Sequence, residues 1–186
     1  MKILHTADWH LGQTFYEYDR REEHFHFLEW LKQQIKQHEI DVLLIAGDVF
    51  DSPNPSAESQ RVYYRFLREV TSENPSLQIV IIAGNHDSAA RLEAPNPLLE
   101  DMNIIVRGTV RRNAEGDIDL QHFIVPLYTE GKVTAYCLAV PYLRQGDYPS
   151  AENYSKGVQQ LYEQLFNKVK EKGIPVVAMG HLQATG

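Results

Sequence analysis

The fold of this chain is decided by one short stretch, Asp41-Val42-Leu43-Leu44-Ile45-Ala46-Gly47-Asp48. Its apolar run is continuous and biased toward β-branched residues, which is typical of a strand covered on both faces in a parallel sheet. Gly47 ends the run, and Asp48 then places a carboxylate directly beyond the end of the strand. This unit, a buried strand followed by a polar cluster, recurs along the chain.

Three further apolar strands end in polar clusters in the same way. They are predicted at residues 2–5, 77–83 and 174–180, and they are followed by Asp8-Trp9-His10, Gly84-Asn85-His86-Asp87 and Gly180-His181. Ligands of open α/β sheets bind outside the carboxyl ends of the strands. We therefore expect the four clusters to converge on one site.

Helical patterns separate these strands. The main ones cover residues 20–38, 56–70 with Ser56 as the cap, and 151–172, and a shorter helix at 96–101 precedes a strand at 103–106. Residues 121–128 and 133–140 predict a hairpin around the turn at 129–132, which introduces antiparallel pairing. The alternation predicts an α/β fold with a mixed sheet or two facing sheets. Residues 6–19 read as a polar stretch without an element.

Composition favours one domain over residues 1–186, since 43% of the 186 residues are hydrophobic and 23% are charged. Cys137 is the only cysteine, which excludes an intrachain disulfide. It reads as a buried strand position, and a reducing, cytoplasmic compartment fits. The apolar start is too short for a signal peptide or a membrane span, so no membrane partner is expected.

The formal net charge of −7 argues against a broad basic surface for nucleic acid. It does not exclude nucleic acid, because bound divalent cations reverse the field of a carboxylate-rich site and attract phosphate.

The side chains expected at the strand ends are oxygen and imidazole donors without a thiolate. Such a set suits manganese, iron or zinc better than calcium and excludes a thiolate zinc finger. An extended backbone at Asp8-x-His10 would put both side chains on one face, where they could hold one ion. Asp48 could bridge to a second ion, and Asn85 offers a neutral oxygen. Two ions roughly 3.5 to 4 Å apart are the usual arrangement for attack on phosphorus, so phosphate ester hydrolysis is predicted.

His86 and His181 complete the candidate site. A histidine that is not a ligand can protonate a leaving group near neutral pH, and His86 is the candidate for that role. An aspartate after a strand is, taken alone, more often a turn or cap residue than a ligand. Four such clusters together are hard to explain by turn chemistry, and Asp48 or His181 at the boundary of the core would be costly without a partner.

Taken in order, these motifs resemble those of the calcineurin-like metallophosphoesterases. The motifs that carry the resemblance, which spans the whole chain, are Asp8-x-His10, Gly47-Asp48-x-x-Asp51, Gly84-Asn85-His86-Asp87 and Gly180-His181. The flanking residues 3–12 and 46–51 are similar to those of bacterial DNA nucleases in that family. The resemblance implies a four-layer sandwich of two facing mixed β-sheets flanked by helices, and a centre with two divalent metal ions, with Mn²⁺ favoured among the candidate metals.

The resemblance also implies roles for individual residues. Asp8 and His10 would bind the first metal, Asp48 would bridge, and Asn85 and His181 would bind the second. His86 would be the catalytic histidine at the scissile phosphate. Asp87 is expected to orient its loop.

The activity implied by the resemblance is a metal-dependent DNA nuclease. It would be a 3′-to-5′ exonuclease on double-stranded ends and an endonuclease on single strands or hairpins, in DNA end processing and repair. DNA and an ATPase subunit would be its partners, with a homodimer contact through the apolar helix at 56–70, whose residues could equally be core. The family pattern has a further Gly-His-x-His motif downstream, and residues 1–186 include neither that motif nor capping or partner-binding regions, so weak or no activity is expected of this stretch alone.

Two other functions stay open at this point. One is a metallophosphoesterase that acts on small or protein substrates, as a phosphodiesterase or a phosphatase with the same metals. The other is a dimerisation and DNA-docking scaffold without chemistry. The remaining histidines, at positions 5, 24, 26, 38 and 122, match no strand-end motif, and most are expected at the surface.

Overall fold

The computed structural model of the protein describes residues 1–182. In chain order its elements are β1 (Ile3–Thr6), β2 (Thr14–Phe15), β3 (Tyr18–Asp19), α1 (Arg21–His38), β4 (Val42–Ala46), α2 (Ala57–Glu73), β5 (Gln78–Ile82), α3 (Ala89–Glu93), α4 (Asn96–Leu99), β6 (Ile104–Arg107), α5 (Leu120–Phe123), β7 (Ile124–Thr129), β8 (Lys132–Val140), α6 (Tyr154–Val169) and β9 (Val176–Gly180). Short 3₁₀ turns follow α4 and α6, at Glu100–Met102 and Lys170–Lys172.

Two β-sheets form the centre of the molecule. The first has the order β1-β4-β5-β6 and is parallel throughout. The second has the order β7-β8-β9, with β7 antiparallel and β9 parallel to β8. The predicted α/β class and the two-sheet fold are confirmed, although only the second sheet is mixed.

Alternation along the strands divides the core into layers. In β4, Leu43 and Ile45 pack with helices α1 and α2 on one face of the first sheet. Leu44 points the other way, into a cluster shared with Cys137 and Met179 of the second sheet. The outer face of the second sheet packs against α6. The order helices, sheet, sheet, helix explains why β4 is apolar at every position, since both of its faces are buried.

Helix α2 begins where the sequence predicts it. The Ser56 hydroxyl accepts a hydrogen bond from the Ser59 amide and so caps the helix. Tyr63, Phe66 and Leu67 are buried in the core of the first sheet. Core packing therefore accounts for most of the apolar surface of this helix.

The structure differs from the sequence predictions in four places. A hairpin of β2 and β3 lies in the stretch predicted to lack elements, and α3 was not predicted. The strand predicted from residue 121 begins at Ile124, because Asp119 accepts from the Gln121 amide and caps the short helix α5. The surface position expected for most remaining histidines is wrong for His24 and His122, which are buried.

Two expectations about the surroundings can also be compared with the structure. Cys137 is fully buried in β8, as predicted. Within residues 1–182, no helix combines the length and the apolar character that crossing a bilayer requires.

Candidate metal centre

Strand ends from both sheets meet at one edge of the sandwich. The carboxyl ends of β1, β4 and β5 are neighbours because these strands are parallel and adjacent. The pairing of β1 with β4 continues beyond the strands, with hydrogen bonds from the Asp8 amide to the Gly47 carbonyl (3.1 Å) and from the His10 amide to the Asp48 carbonyl (3.0 Å). From the second sheet, Nδ1 of His181 donates to the Ala46 carbonyl over 2.8 Å. The structure thus brings the four polar clusters together.

Two glycines make this close approach possible. Gly47 has a φ of +88°, and a Cβ there would lie 2.5 Å from Nδ1 of His181. A Cβ on Gly84 would lie 2.1 Å from Oδ1 of Asp48. Both distances are far below van der Waals contact, so the glycines that end β4 and β5 leave the space that His181 and Asp48 occupy.

One group of donors surrounds the buried carboxylate of Asp48. Asp8, Asp48 and His181 each offer a ligand atom, and these atoms lie within 4.8 Å of one another. Nε2 of His181 is 3.5 Å from Oδ2 of Asp48 and 3.1 Å from the amide oxygen of Asn85. Asp48 is only 3% exposed, so its charge is held away from water beside these donors.

A second group lies next to it and includes a residue without a role in the sequence prediction. His10, Asp51 and His86 offer atoms within 4.8 Å of one another. Nδ1 of His10 is 3.2 Å from Oδ1 of Asp51. Nε2 of His10 is 3.7 Å from Oδ2 of Asp48, so Asp48 lies between the two groups. Asp51 stands three residues after Asp48 in the quoted motif, and that spacing was the signal available for it.

The backbone of the site differs from the prediction. Asp8 and His10 have φ values of 57° and 47°, so the extended backbone predicted for Asp8-x-His10 is wrong. Asp48 is also left-handed, with a φ of 50°. Non-glycine residues in this region are strained and cluster at functional sites. The strained turn nevertheless keeps Nε2 of His10 within 3.9 Å of Oδ1 of Asp8.

Asp87 organises the loops instead of facing the donors. Its buried carboxylate accepts hydrogen bonds from the amides of Gly84 (2.9 Å), Phe50 (3.0 Å) and Val49 (3.2 Å). It therefore joins the loop after β5 to the loop after β4, in line with the orienting role predicted for it. Burial raises the pKa of Asp87 above its usual value, and the three amide donors oppose this rise.

His86 lies at the exposed side of the second group. Its Nδ1 donates to the Asp51 carbonyl over 2.9 Å, and its amide donates to Oδ1 of Asp48 over 2.9 Å. The hydrogen bond to the Asp51 carbonyl raises the pKa of His86, with further contributions from the carboxylates of Asp48, Asp51 and Asp87. The ring of His10 packs edge-on against that of His86 at 4.9 Å.

Two cavities flank the donors. A cavity of about 410 Å³ is lined by Asp8, His10, Gln13 and Arg20, among others. On the other side, a cavity of about 260 Å³ is lined by Asn85, Tyr142, His181 and Leu182. The Arg144 guanidinium lies 5.7 Å from the centre of the Tyr142 ring, which brings a positive charge to this side. Nothing in the sequence pattern pointed to Tyr142.

The donor set fits divalent cations. It combines carboxylate, amide and imidazole donors at a partly open edge, and no thiolate is among them. Such a mixture suits manganese, iron or zinc. Carboxylates this close together need positive charge to offset their repulsion, which cations would supply.

Comparison with known proteins gives a consistent result. Residues 1–186 match the family described as calcineurin-like phosphoesterase. The chain is 42% identical over 198 residues to the SbcD component of the SbcCD nuclease of Rhodobacter capsulatus, with 100% of this chain and 49% of the relative covered. It is 31% identical over 200 residues to the SbcD component from Escherichia coli K12, covering 100% of this chain and 47% of the relative. The chain therefore spans about half the length of these curated relatives.

Proposed function

Because this chain belongs to the calcineurin-like phosphoesterase family, we propose that it forms the metal-binding part of a DNA nuclease that hydrolyses phosphodiester bonds. The observation that carries this proposal is the convergence of two donor groups around Asp48 at the shared edge of the two sheets. The relatives are named as parts of the SbcCD nuclease, which supports the choice of a nucleic acid, DNA, as substrate.

The proposed ligands are Asp8, His10, Asp48, Asn85 and His181, with two Mn²⁺ ions as the cofactors. The grouping in the structure adds Asp51 to this set beside His10. When bound, divalent cations supply an activated water and offset the charge on the phosphate. The carboxylate of Asp48 is suited to serve both ions because it lies between His10 and His181.

His86 is the proposed catalytic acid at the scissile phosphate. Since the Asp51 carbonyl can only accept, Nδ1 of His86 carries a proton in that hydrogen bond. Nε2 is then left to hand a proton to the leaving oxygen. His86 also belongs to the second donor group, so a role as ligand competes with this one and needs an experiment.

Several properties of the whole protein are part of the proposal. We propose 3′-to-5′ exonuclease action on duplex ends, endonuclease action on single strands and hairpins, and a role in DNA repair in the cytoplasm. An SbcC-type ATPase is the proposed partner. A Gly-His-x-His motif beyond residue 186 would complete the coordination of the metals.

A homodimer through α2 and its neighbour α1 is the remaining part of the proposal. The buried residues of α2 are explained by the core, so a contact has to use the outer surface. Phe25 and Trp30 of α1 are 54% and 51% exposed, and Phe25 borders a shallow apolar groove with Val62 and Phe66. Sedimentation of the full-length protein with Phe25→Asp should shift a dimer to monomer, and an unchanged dimer would contradict this contact.

The function is tested with the full-length protein and manganese. Linear duplex DNA, a cyclic nucleotide and a phosphoserine peptide are offered in parallel, and we expect cleavage of DNA. Glu152→Ala, which removes an exposed carboxylate in the loop before α6, is the control and should cleave normally. Cleavage of the cyclic nucleotide or peptide without DNA cleavage would replace the nuclease by a phosphodiesterase or phosphatase.

The role of His86 is tested by His86→Ala in the same protein. We expect DNA cleavage to be lost while manganese affinity, measured by calorimetry, stays near that of the wild type. A matching loss of manganese affinity would make His86 a ligand, and unchanged cleavage would remove it from the chemistry.

A further inference from the structure

The hairpin of β2 and β3 presents aromatic rings to solvent beside the metal centre. Phe15 and Tyr18 are direct partners across the two strands, and such partners project to the same side. Their exposed fractions are 62% and 77%. Tyr16, at the tip, is 83% exposed, and its ring contacts that of Phe15 at 4.7 Å. The hairpin thus carries a contiguous aromatic patch.

Such a patch calls for a binding partner. Single exposed apolar side chains are normal in soluble proteins, but contiguous apolar patches mark binding surfaces. Within the part of the chain that the structure describes, no other segment covers these rings, as their exposure shows. Packing of the core therefore gives no reason for three neighbouring aromatic residues.

The hairpin is tied to the candidate metal centre at its base. The side-chain amide of Gln13 donates to Oδ1 of Asp51 over 3.2 Å, and its oxygen accepts from the Arg20 guanidinium. Gln13 and Arg20 flank the hairpin, so both of its ends are held beside the second donor group. Phe15 follows His10 by five residues, which limits their separation to about 18 Å of extended chain.

The space between the hairpin and the donors is open. The cavity of about 410 Å³ has Asp8 and His10 at one side and Gln13 and Arg20 at the other. A strand whose phosphate lies at the donors can therefore continue through this cavity toward the rings of the hairpin. About five nucleotide steps of a B-form strand cover 18 Å, at about 3.4 Å each.

We propose that Phe15 and Tyr18 form a stacking platform for unpaired nucleobases of a DNA strand whose phosphate is held at the metal centre. The platform rests on the proposed nuclease function and adds a preference for ends or loops with unpaired bases. Aromatic side chains stack on any base because every base has a π-face, so the platform tolerates all sequences.

The charges around the hairpin favour bases over phosphates as its ligand. Glu17 and Asp19 balance Arg20 and Arg21. Arg20 is paired with Glu23, and Arg21 is paired with Asp19. The segment therefore offers little net attraction to the phosphate backbone, and its available contact is the aromatic surface. Stacking of this kind depends less on salt than phosphate contacts do.

The test measures binding of nuclease-resistant phosphorothioate DNA to the full-length protein in manganese, by fluorescence polarisation. The ligands are a duplex with a single-stranded tail and a blunt duplex. Phe15→Ala combined with Tyr18→Ala should weaken binding of the tailed duplex roughly 5- to 100-fold, with binding of the blunt duplex unchanged. Tyr128→Ala, which removes an exposed aromatic ring of β7, is the matched control and should bind both as the wild type does.

A conservative variant separates stacking from a general need for these side chains. Phe15→Trp should retain affinity for the tailed duplex, and its tryptophan fluorescence should be quenched when the tail binds but not when the blunt duplex binds. Absence of this quenching would contradict stacking at residue 15.

The other outcomes are distinguishable from failure of the nuclease proposal. Equal binding of the tailed duplex by the double alanine variant and the wild type would refute the platform, even if the wild type cleaves ordinary DNA. Loss of self-association or of a protein partner in the double variant, with DNA affinity unchanged, would also refute it. A wild type that cleaves no DNA in manganese would instead overturn the proposed function.

Discussion

Replacement of Asp87 tests how the loops of the metal centre are held. Its carboxylate is 2% exposed and accepts from three backbone amides, those of Gly84, Phe50 and Val49. Hydrogen bonds to a charged group contribute about 1.5–3 kcal/mol each, which gives a gross contribution of about 4.5–9 kcal/mol. Burial of the carboxylate offsets part of this, as the raised pKa of Asp87 shows. We therefore expect Asp87→Ala to lower the free energy of unfolding by about 3–5 kcal/mol, a value between the cost of one and three unsatisfied buried donors.

Asp87→Asn separates the geometry of the loops from the charge. The amide oxygen retains an acceptor, but the amide nitrogen faces backbone N–H groups that need an acceptor. It also removes the cost of burying a charge, so we expect roughly half the destabilisation of Asp87→Ala. Both variants should bind manganese more weakly, because the amides they release lie in the loops that carry Asp48 and Asn85.

The assay is equilibrium urea unfolding, with manganese binding measured by calorimetry. Glu152→Ala is the control for loss of a carboxylate at an exposed position, and it should change neither quantity. The reasoning is refuted if Asp87→Ala lowers the free energy of unfolding by less than about 1 kcal/mol and leaves manganese affinity unchanged. The three amides would then have found other partners, and Asp87 would not hold the loops.

Three further predictions concern other parts of the molecule. Gly84→Ala should destabilise the protein by about 1–3 kcal/mol and weaken manganese binding, since its Cβ would lie 2.1 Å from Oδ1 of Asp48; normal binding in calorimetry would contradict this. Burial, followed by the charges of Arg107 and Arg111, lowers the pKa of His122 from 6.5 to about 4, so the unfolded chain takes up the proton first. Stability should therefore fall by about 3 kcal/mol between pH 6.5 and pH 4, and urea titrations of His122→Gln should lack this decrease. Manganese at about a hundred times its dissociation constant should raise the free energy of unfolding by about 2.7 kcal/mol, and in the same thermal melts Asp48→Asn should show a smaller rise or the ligand assignment is wrong.

The sequence predicts the strand ends well because their signals are local. An apolar run that stops at Gly47 or Gly84 is visible in a few residues, and the parallel class then places the ends at one edge. The pairing of His10 with Asp51 was not predicted, because it depends on the left-handed backbone at residues 8 and 10. Such a conformation is set by hydrogen bonds to residues about 40 positions away, which no local pattern contains.

The hairpin at residues 14–19 and the buried His122 were missed for related reasons. The tip of the hairpin is Tyr16-Glu17, both with positive φ, where Asn-Gly would have given a turn signal. His122 is enclosed near Glu93, Arg107 and Arg111, which lie 11 to 29 positions earlier in the chain. A single histidine in sequence gives no indication of an environment built from such distant residues.

The hydrogen bond from His181 to the Ala46 carbonyl joins the last strand of one sheet to a central strand of the other. The candidate ligands are therefore shared between the two halves of the sandwich, with Asp48 and Asn85 on one half and His181 on the other. Capture of a cation there acts as a clasp, and its binding energy is also energy that resists sliding of the halves. Loss of the cation would loosen the sandwich first at this rim, so that chemistry and mechanical cohesion rise and fall together.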